Sequence, residues 1–190
     1  ATAIPNSDAN TVTIRNTHTV TFNSFLTIDQ VVIESGGTLD FNNGILTVND
    51  GAGNDIDIQN NGAFVLSLDN SPPLFGAGNP TVNITSNAIL RASASGLTSA
   101  APINGVNVSN YIYQHQSILE VTTSGFSSAG VTFFPNVNAT TIPVFRTTSS
   151  SPILVGASNN TTFNGIFEAN GIGLLTWQNS GNKIFRNGIR

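Results

Sequence analysis

An internal repeat organises the first part of the sequence. Residues 14–22 align with residues 33–41 at an offset of 19, with apolar residues at the first, seventh and ninth places and Thr19 matching Thr38. Three further copies follow at offsets of 25, 26 and 29, starting at Ile58, Ile84 and Tyr113. Because the extra residues fall between short apolar triplets, the repeat predicts successive coils with insertions confined to their connections.

Each coil contains brief triplets in which apolar and polar residues alternate, as in residues 12–14, 20–22 and 26–28. A period of two is typical of β-strands with one buried face, and helical periodicity is missing. Three triplets per coil, joined by Asn, Gly and Ser turns, close a roughly triangular circuit. The sequence therefore predicts an all-β parallel β-helix (β-solenoid) with coils of 19–29 residues, stacked about 4.8 Å apart.

The alignment also predicts which side chains form columns along the stack. One inward column reads Val20, Leu39, Phe64, Leu90 and Leu119. The neighbouring outward column reads Thr21, Asp40, Val65, Arg91 and Glu120. Arg91 and Glu120 have opposite signs on adjacent coils, which predicts a surface ion pair worth about 0–1 kcal/mol.

Composition agrees with such columns. Only 8% of residues are charged, against about 25% in an ordinary domain, and like charges at strand spacing repel. Six basic residues with a net charge of −4 exclude a nucleic-acid partner. The sequence has no run of 18 apolar residues, so no membrane-spanning helix is expected. The absence of cysteine excludes disulfides and thiolate chemistry.

The domain organisation follows from where the repeat is strong. Residues 1–10 are interpreted as an N-terminal cap or lead-in, and residues 11–190 as a single β-solenoid domain. Its coils are predicted to be regular over 11–122 and less regular over 123–190. The last residues show no capping pattern, so we expect the solenoid to continue beyond residue 190 in a longer parent chain, or another subunit to cover the open C-terminal coil.

The densest cluster of acids, residues 50–57, resembles one calcium-binding nonapeptide. Its candidate ligands are Asp50, Asn54, Asp55 and Asp57. Calcium takes six or more oxygen ligands, which these side chains and nearby carbonyls could supply. The alternative is an inserted turn rich in Gly, Asn and Asp. Apart from this calcium hypothesis, no cofactor is predicted.

The distribution of titratable residues argues against catalysis. His18 and His115 fall at turn positions about four coils apart, so they cannot share a metal ion. Polysaccharide-cleaving β-helices need clustered acids. The candidates here are spread over different coils and faces: Asp40, Asp57, Arg91 and Glu120. The prediction is a protein without enzymatic activity, and the alternative is a polysaccharide-active enzyme using Asp40 or Glu120.

Three aromatic residues have the side chains needed to stack on sugars. Tyr111 and Tyr113 align with the inward Val82 and Ile84, and Trp177 also fits an inward place. The pattern favours core packing for all three over an exposed sugar-binding face.

Several segments resemble the repeats of large secreted surface proteins of Bacteroidetes: residues 16–22, 27–39, 163–171 and 185–189. The resemblance implies a long, β-helical or adhesin-like parent protein, and many such proteins leave the cell by the type IX route with a C-terminal sorting domain. No sorting domain is visible in this sequence, which agrees with a fragment of a longer chain. The resemblance has no catalytic residues to carry over.

These patterns together predict a structural or adhesive module of an extracellular bacterial surface protein or filament. The alternatives are a carbohydrate-binding or polysaccharide-cleaving β-helix and a calcium-stabilised adhesin repeat. The expected partners are neighbouring domains of the same chain, subunits stacked on the open C-terminal coil, and surface glycans.

Overall fold

The computed structural model describes residues 10–22, 24–42, 45–67, 74–75, 80–92, 101–103, 106–122, 125–127, 132–148, 153–156, 160–170, 175–177 and 181–190. The predicted cap over residues 1–10 lies outside these ranges except for Asn10, and the side chain of Trp177 also lies outside the description.

The chain is a parallel β-solenoid, which confirms the predicted fold class. In the described residues, twenty-one short strands form five sheets, and all of their pairings are parallel. Sheet A contains β1 (Thr11–Ile14), β4 (Gln30–Ile33), β7 (Ile56–Ile58), β10 (Val82–Ile84) and β12 (Tyr111–Tyr113). Sheet B contains β2 (Thr19–Phe22), β5 (Thr38–Phe41), β8 (Ala63–Leu66), β11 (Ile89–Ala92), β13 (Ile118–Val121), β16 (Val144–Thr147) and β19 (Ile166–Ala169).

Three smaller sheets complete the coils. Sheet C contains β3 (Phe25–Ile28), β6 (Ile45–Val48) and β9 (Leu74–Phe75). Sheet D contains β14 (Gly125–Ser127), β17 (Ile153–Gly156) and β20 (Leu175–Trp177). Sheet E contains β15 (Thr132–Phe133), β18 (Thr161–Phe163) and β21 (Lys183–Phe185). The only helical element in the described residues is a single 3₁₀ turn, Val108–Asn110, and no described helix has the length and hydropathy needed to cross a membrane.

The strand register confirms the predicted columns. Val20 pairs with Leu39, Leu39 with Phe64, Phe64 with Leu90 and Leu90 with Leu119. Sheet B then continues in the same register beyond Val121, where the sequence repeat weakens, through Phe145 and Phe167. The side-chain columns of this face therefore run through seven successive coils.

Aromatic stacking fills the core of the later coils. The rings of Phe133, Phe163 and Phe185 stack with centroid distances of 4.9 and 5.1 Å. Phe145 stacks on Phe167 at 5.5 Å and meets Phe163 edge-on at 5.1 Å. Each aromatic pair contributes about 0.5–1.5 kcal/mol beyond its area burial, so the rings join the coils as the backbone ladders do.

The connections from sheet A to sheet B explain why the first five coils are regular. In the first five coils each connection has four residues, and its third residue has a positive φ: Thr17, Gly36, Asn61, Asn87 and Gln116, between 57° and 78°. In each coil the amide of the fourth residue donates to the carbonyl of the first, at 2.7–3.1 Å. One turn geometry is thus repeated coil after coil.

The stack changes at the sixth coil. There the connection to sheet B lengthens to ten residues, 134–143, and in the seventh coil it shrinks to two, 164–165. The strand β15 holds the place in its coil that sheet A strands hold earlier, but it pairs only with β18 of the next coil. Sheet A therefore ends at β12, and sheet E begins one coil later.

Candidate functional site

Five charged residues of alternating sign form a ladder on the outer face of sheet B: Arg91, Glu120, Arg146, Glu168 and Arg190. Arg91 Nε donates to Glu120 Oε2, and Arg146 Nη1 lies 3.7 Å from Glu120 Oε1. Arg146 Nε donates to Glu168 Oε2 at 3.0 Å, and Arg190 Nη2 lies 3.4 Å from the same oxygen. The register of sheet B places the first four charges opposite one another in turn. An isolated parallel bridge between Phe167 and Ile189 brings Arg190 beside Glu168.

Burial makes this ladder different from the predicted surface pair. The pairing of Arg91 with Glu120 is confirmed, but the Glu120 side chain is only 6% exposed and that of Glu168 only 12%. Charges shielded from water interact more strongly than exposed ones, and losing one partner leaves the other uncompensated. The ladder is therefore a cooperative element joining the fourth coil to the end of the chain.

The ladder also fixes the ionisation of Glu168. Burial by itself raises the pKa of this carboxyl, but hydrogen bonds from Asn170 and Arg146 and the charges of Arg146 and Arg190 outweigh it. The net result is a pKa below the ordinary value of 4.5.

The candidate catalytic acids are well separated. Asp40 lies in the same outward column as Arg91 and Glu120, as the alignment predicts. Asp57 lies on a different face, in sheet A. Asp40 and Glu120 are three strand spacings apart, about 14 Å, whereas glycosidase carboxyl pairs are separated by about 5–9.5 Å. Asp40 accepts a hydrogen bond from Ser67 Oγ at 2.6 Å.

Both histidines are exposed turn residues, as predicted. His18 Nδ1 lies 2.9 Å from the Asn16 carbonyl oxygen, and His115 Nδ1 accepts from the Ile142 amide at 3.3 Å. The strands that follow them, β2 and β13, are four spacings apart in sheet B, about 19 Å. The two rings cannot act together.

The candidate calcium ligands differ in burial and in hydrogen-bond partners. Asp50 and Asn54 are exposed, whereas Asp55 is fully buried. Asp57, on β7, accepts a hydrogen bond from Asn83 Nδ2 at 2.6 Å. Among the described residues, no three or more His, Asp or Glu form a group able to hold a metal ion. The calcium site stays a prediction.

Asp55 instead fastens its loop to the next coil. Its Oδ1 accepts from the Gly51 amide at 2.8 Å, and its Oδ2 accepts from the Thr81 amide at 2.7 Å and from Thr81 Oγ1 at 3.2 Å. Gln30 Nε2 donates to the Ala52 carbonyl at 2.7 Å and holds the loop from the coil before. Backbone amides that would otherwise lack partners are satisfied by a buried carboxylate.

A cleft of about 220 Å³ lies where sheet A stops. Its lining includes Ser109, Ile112, Tyr113, Phe134, Asn136 and Val137. Asn136 Nδ2 donates to the Ser109 carbonyl at 2.9 Å and so ties the ten-residue connection to the segment before β12. The tyrosines confirm the inward prediction, because Tyr111 is 2% and Tyr113 7% exposed. They nevertheless form part of the cleft wall.

Two buried polar atoms near this cleft have no hydrogen-bond partner among the described residues, the Tyr113 hydroxyl and Asn164 Oδ1. Both residues contact Phe134: its ring meets that of Tyr113 edge-on at 4.8 Å, and its carbonyl accepts from Asn164 Nδ2 at 3.0 Å. Phe134 itself has a φ of 58°, a conformation that bulky residues rarely adopt. The two unpaired polar atoms and the strained backbone therefore lie together around Phe134.

Sequence reasoning missed this cleft. The available signal was the pair Phe133-Phe134 followed by Pro135 at the point where the repeat offset fails. An insertion visible in sequence does not reveal which groups it leaves unpaired.

Comparison with known proteins found no matching family model, no matching curated protein and no matching solved structure.

Proposed function

We propose that the chain is a structural and adhesive module of an extracellular bacterial surface protein or filament. The observation that supports this proposal is the seven-stranded parallel ladder of sheet B. It is reinforced by the stacked Phe rings and by the alternating Arg and Glu side chains.

The direction of these contacts suits a load-bearing element. Hydrogen bonds between stacked coils run along the solenoid axis, because neighbouring strands are displaced from one another in the hydrogen-bonding direction. A coil such as that of β4, β5 and β6 is bonded to its neighbours through three sheets at once. Separating two coils therefore requires several ladders to break together.

The surface composition supports an extracellular position. Only 8% of residues are charged, so most of the surface hydrogen-bonds with water without depending on ion pairs and tolerates changes in external salt. The partners that fit such a module are neighbouring domains of the same chain, further subunits, and glycans on an opposing surface.

Immunolabelling of intact cells of the source organism tests the location. Antibodies raised against residues 11–190 are expected to label the outside of unpermeabilised cells. Labelling that requires permeabilisation would contradict the proposal. An antibody against a cytoplasmic protein serves as the control for cell integrity.

Single-molecule force measurement tests the mechanical role. The chain, held between two folded handle domains, is expected to resist axial extension and then to lengthen in steps that correspond to one or a few coils. Smooth extension at low force would contradict a load-bearing function. Glu120→Gln, which weakens the charged ladder, should lower the force of the steps that release the later coils.

A further inference from the structure

We propose that Asn187 is a site of spontaneous deamidation, and that its conversion to aspartate or isoaspartate detaches residues 187–190 from β19. This modification is independent of the adhesive role proposed above, and water is its only co-reactant. The supporting observations are the Asn-Gly sequence, the exposure of both residues, the unpaired amide of Gly188 and the contacts that restrain the same dipeptide elsewhere in the fold.

The reaction is intramolecular and is favoured when the residue after asparagine is glycine, because no side chain shields the backbone nitrogen. The Gly188 nitrogen loses its proton to solvent base and attacks Cγ of Asn187. The new C–N bond closes a five-membered succinimide ring, and the side-chain nitrogen of Asn187 leaves as ammonia. Water then opens the ring at either carbonyl carbon, which gives aspartate or isoaspartate.

The chain contains its own comparisons for this reaction. Asn-Gly occurs at six places in the sequence, and the structure describes both residues of three of these pairs, at 61–62, 164–165 and 187–188. The second and third pairs follow β18 and β21, which are neighbours in sheet E. The same dipeptide therefore lies in three environments, and the fold decides which of them can react.

The first two pairs are restrained by the fold. Gly62 is buried, and its amide donates to the Gln59 carbonyl at 2.7 Å, so the attacking nitrogen is already engaged. Gly165 is also buried, and a Cβ there would lie 2.3 Å from the Pro143 carbonyl oxygen. Asn164 Nδ2 donates to the Phe134 carbonyl at 3.0 Å. Reaction at either pair requires the local structure to open first.

The third pair is accessible. Asn187 and Gly188 are both exposed, and the Gly188 amide has no hydrogen-bond acceptor among the described residues. A Cβ on Gly188 would meet no heavy atom within 4 Å, and the φ of 92° is one that glycine adopts without steric cost. Ring closure at this pair therefore requires no opening of the core.

Conversion to aspartate removes a contact to the preceding coil. Asn187 Nδ2 donates to the Asn164 carbonyl. In the product, a carboxylate oxygen replaces this NH₂ group and faces the carbonyl oxygen, so two acceptors meet without a hydrogen between them.

Conversion to isoaspartate disturbs the backbone as well, because it adds a methylene group just before Gly188. The Gly188 carbonyl accepts from the Phe167 amide at 3.1 Å, and the Arg190 carbonyl accepts from the Ala169 amide at 3.0 Å. A longer backbone cannot keep both carbonyls in register with β19. Arg190 then leaves Glu168, and the charged ladder loses its last member.

Incubation of the whole chain in heavy-oxygen water, followed by peptide mapping with mass spectrometry, tests the modification. Heavy oxygen enters the new carboxyl group when the ring opens, which separates this reaction from deamidation during sample handling. In the folded chain, the pair at 187–188 is expected to react at least about tenfold faster than the pairs at 61–62 and 164–165, which must first open. In urea the three pairs should react at similar rates.

Asn187→Gln should block the reaction, because the longer side chain closes a six-membered ring much more slowly. Asn61→Gln is the matched control. Gln116 occupies the same left-handed turn position two coils later, so glutamine fits at position 61. This control should leave the rate at Asn187 unchanged.

Amide hydrogen exchange tests the detachment. In the deamidated chain, the amides of Phe167 and Ala169 should exchange about tenfold faster than before incubation, since they lose their acceptors. The amides of β13 should be unaffected. Asn187→Gln incubated for the same time should keep the original rates at all of these positions.

Three outcomes would overturn the proposal: equal rates at the three pairs in the folded chain, a preference for 187–188 that persists in urea, or unchanged exchange of Phe167 and Ala169 after deamidation. None of them affects cell-surface labelling, so this modification and the proposed extracellular role fail or stand separately.

Discussion

At the scale of single residues, the left-handed turn position shows how different side chains serve one geometry. Five coils place Thr, Gly, Asn, Asn and Gln at the same point, all with positive φ. Gly and Asn adopt this region readily, whereas a β-branched residue does so at a cost. Thr17 is therefore the least suited of the five.

Thr17→Gly should raise the free energy of unfolding by about 0.5–1 kcal/mol. Relief of left-handed strain, about 1–2 kcal/mol, exceeds the added chain entropy of glycine, about 0.5–1 kcal/mol. Urea denaturation of the two proteins measures the difference. Thr13→Gly, in the extended strand β1, is the matched control and should destabilise; equal destabilisation by both changes would disprove the strain argument.

Asp55 is a second residue whose role is local. In Asp55→Asn one acceptor oxygen becomes an NH₂ group that faces the amide of Gly51 or Thr81. Leaving such groups unpaired should cost about 2–3 kcal/mol, measured by denaturation. Asn54→Ala, at an exposed neighbour, should stay within about 0.5 kcal/mol.

Thermal unfolding of the wild-type chain tests the predicted calcium site. If the loop is only a turn, Tm should be the same in calcium chloride and in a chelator. A Tm that rises with calcium and loses this dependence in Asp50→Asn would support the metal prediction instead.

At the scale of elements, the charged ladder gives sheet B a second set of inter-coil bonds. The two carboxylates lie between three guanidinium groups, and each is largely buried. Since a buried charge that loses its partner is left uncompensated, an interior member should be worth more than an exposed ion pair.

Glu120→Gln should lower the free energy of unfolding by about 2–4 kcal/mol, because Arg91 and Arg146 both lose their shared anion. Glu34→Gln is the control, since the half-buried Glu34 side chain makes a single long contact among the described residues, 3.4 Å to the Asn16 amide. A loss below about 0.5 kcal/mol in Glu120→Gln would place the ladder in the range of surface pairs.

Acidification should weaken the ladder through Glu168. Its pKa is lowered on folding, so its contribution to stability is present above the ordinary pKa of 4.5 and is lost as the pH falls through the folded-state value. Melting curves between pH 7 and pH 3 should show a steeper fall in Tm for the wild type than for Glu168→Gln. Parallel curves would contradict the assignment.

At the scale of the whole molecule, stability depends on how many neighbours a coil has. The inward column is 41% exposed at Val20 in the first described coil but fully buried at Leu90 and Leu119. In stacked repeats, stability is approximately a sum of coil and nearest-neighbour terms. Central coils should therefore open less often than the first one.

Amide hydrogen exchange tests this gradient in the 190-residue chain. Amides of β8, β11 and β13 should exchange more slowly than those of β1, β2 and β3, because opening a central coil breaks contacts on two sides. Uniform protection along the chain would instead indicate a single all-or-none unit.

Much of this architecture could be predicted from the sequence. The offset between copies determines which strands pair, and the period of two determines which side chains face inward. The repeat offset and the period of two are sufficient to predict three features: the column from Val20 to Leu119, the buried tyrosines, and the pairing of Arg91 with Glu120.

The tertiary structure determined the features of the later coils that the sequence repeat does not encode. Connections of ten and two residues destroy a constant offset in sequence, yet loop closure depends only weakly on length, so the strands still pair in register. That pairing brings Arg146, Glu168 and Arg190 into one ladder with Arg91. It also leaves a cleft beside Tyr113, because β15 of the sixth coil does not pair with β12 and so does not cover the edge of sheet A. Repeat and alternation thus determined the fold, and the lengths of individual connections, read only in three dimensions, decided where its candidate site lies.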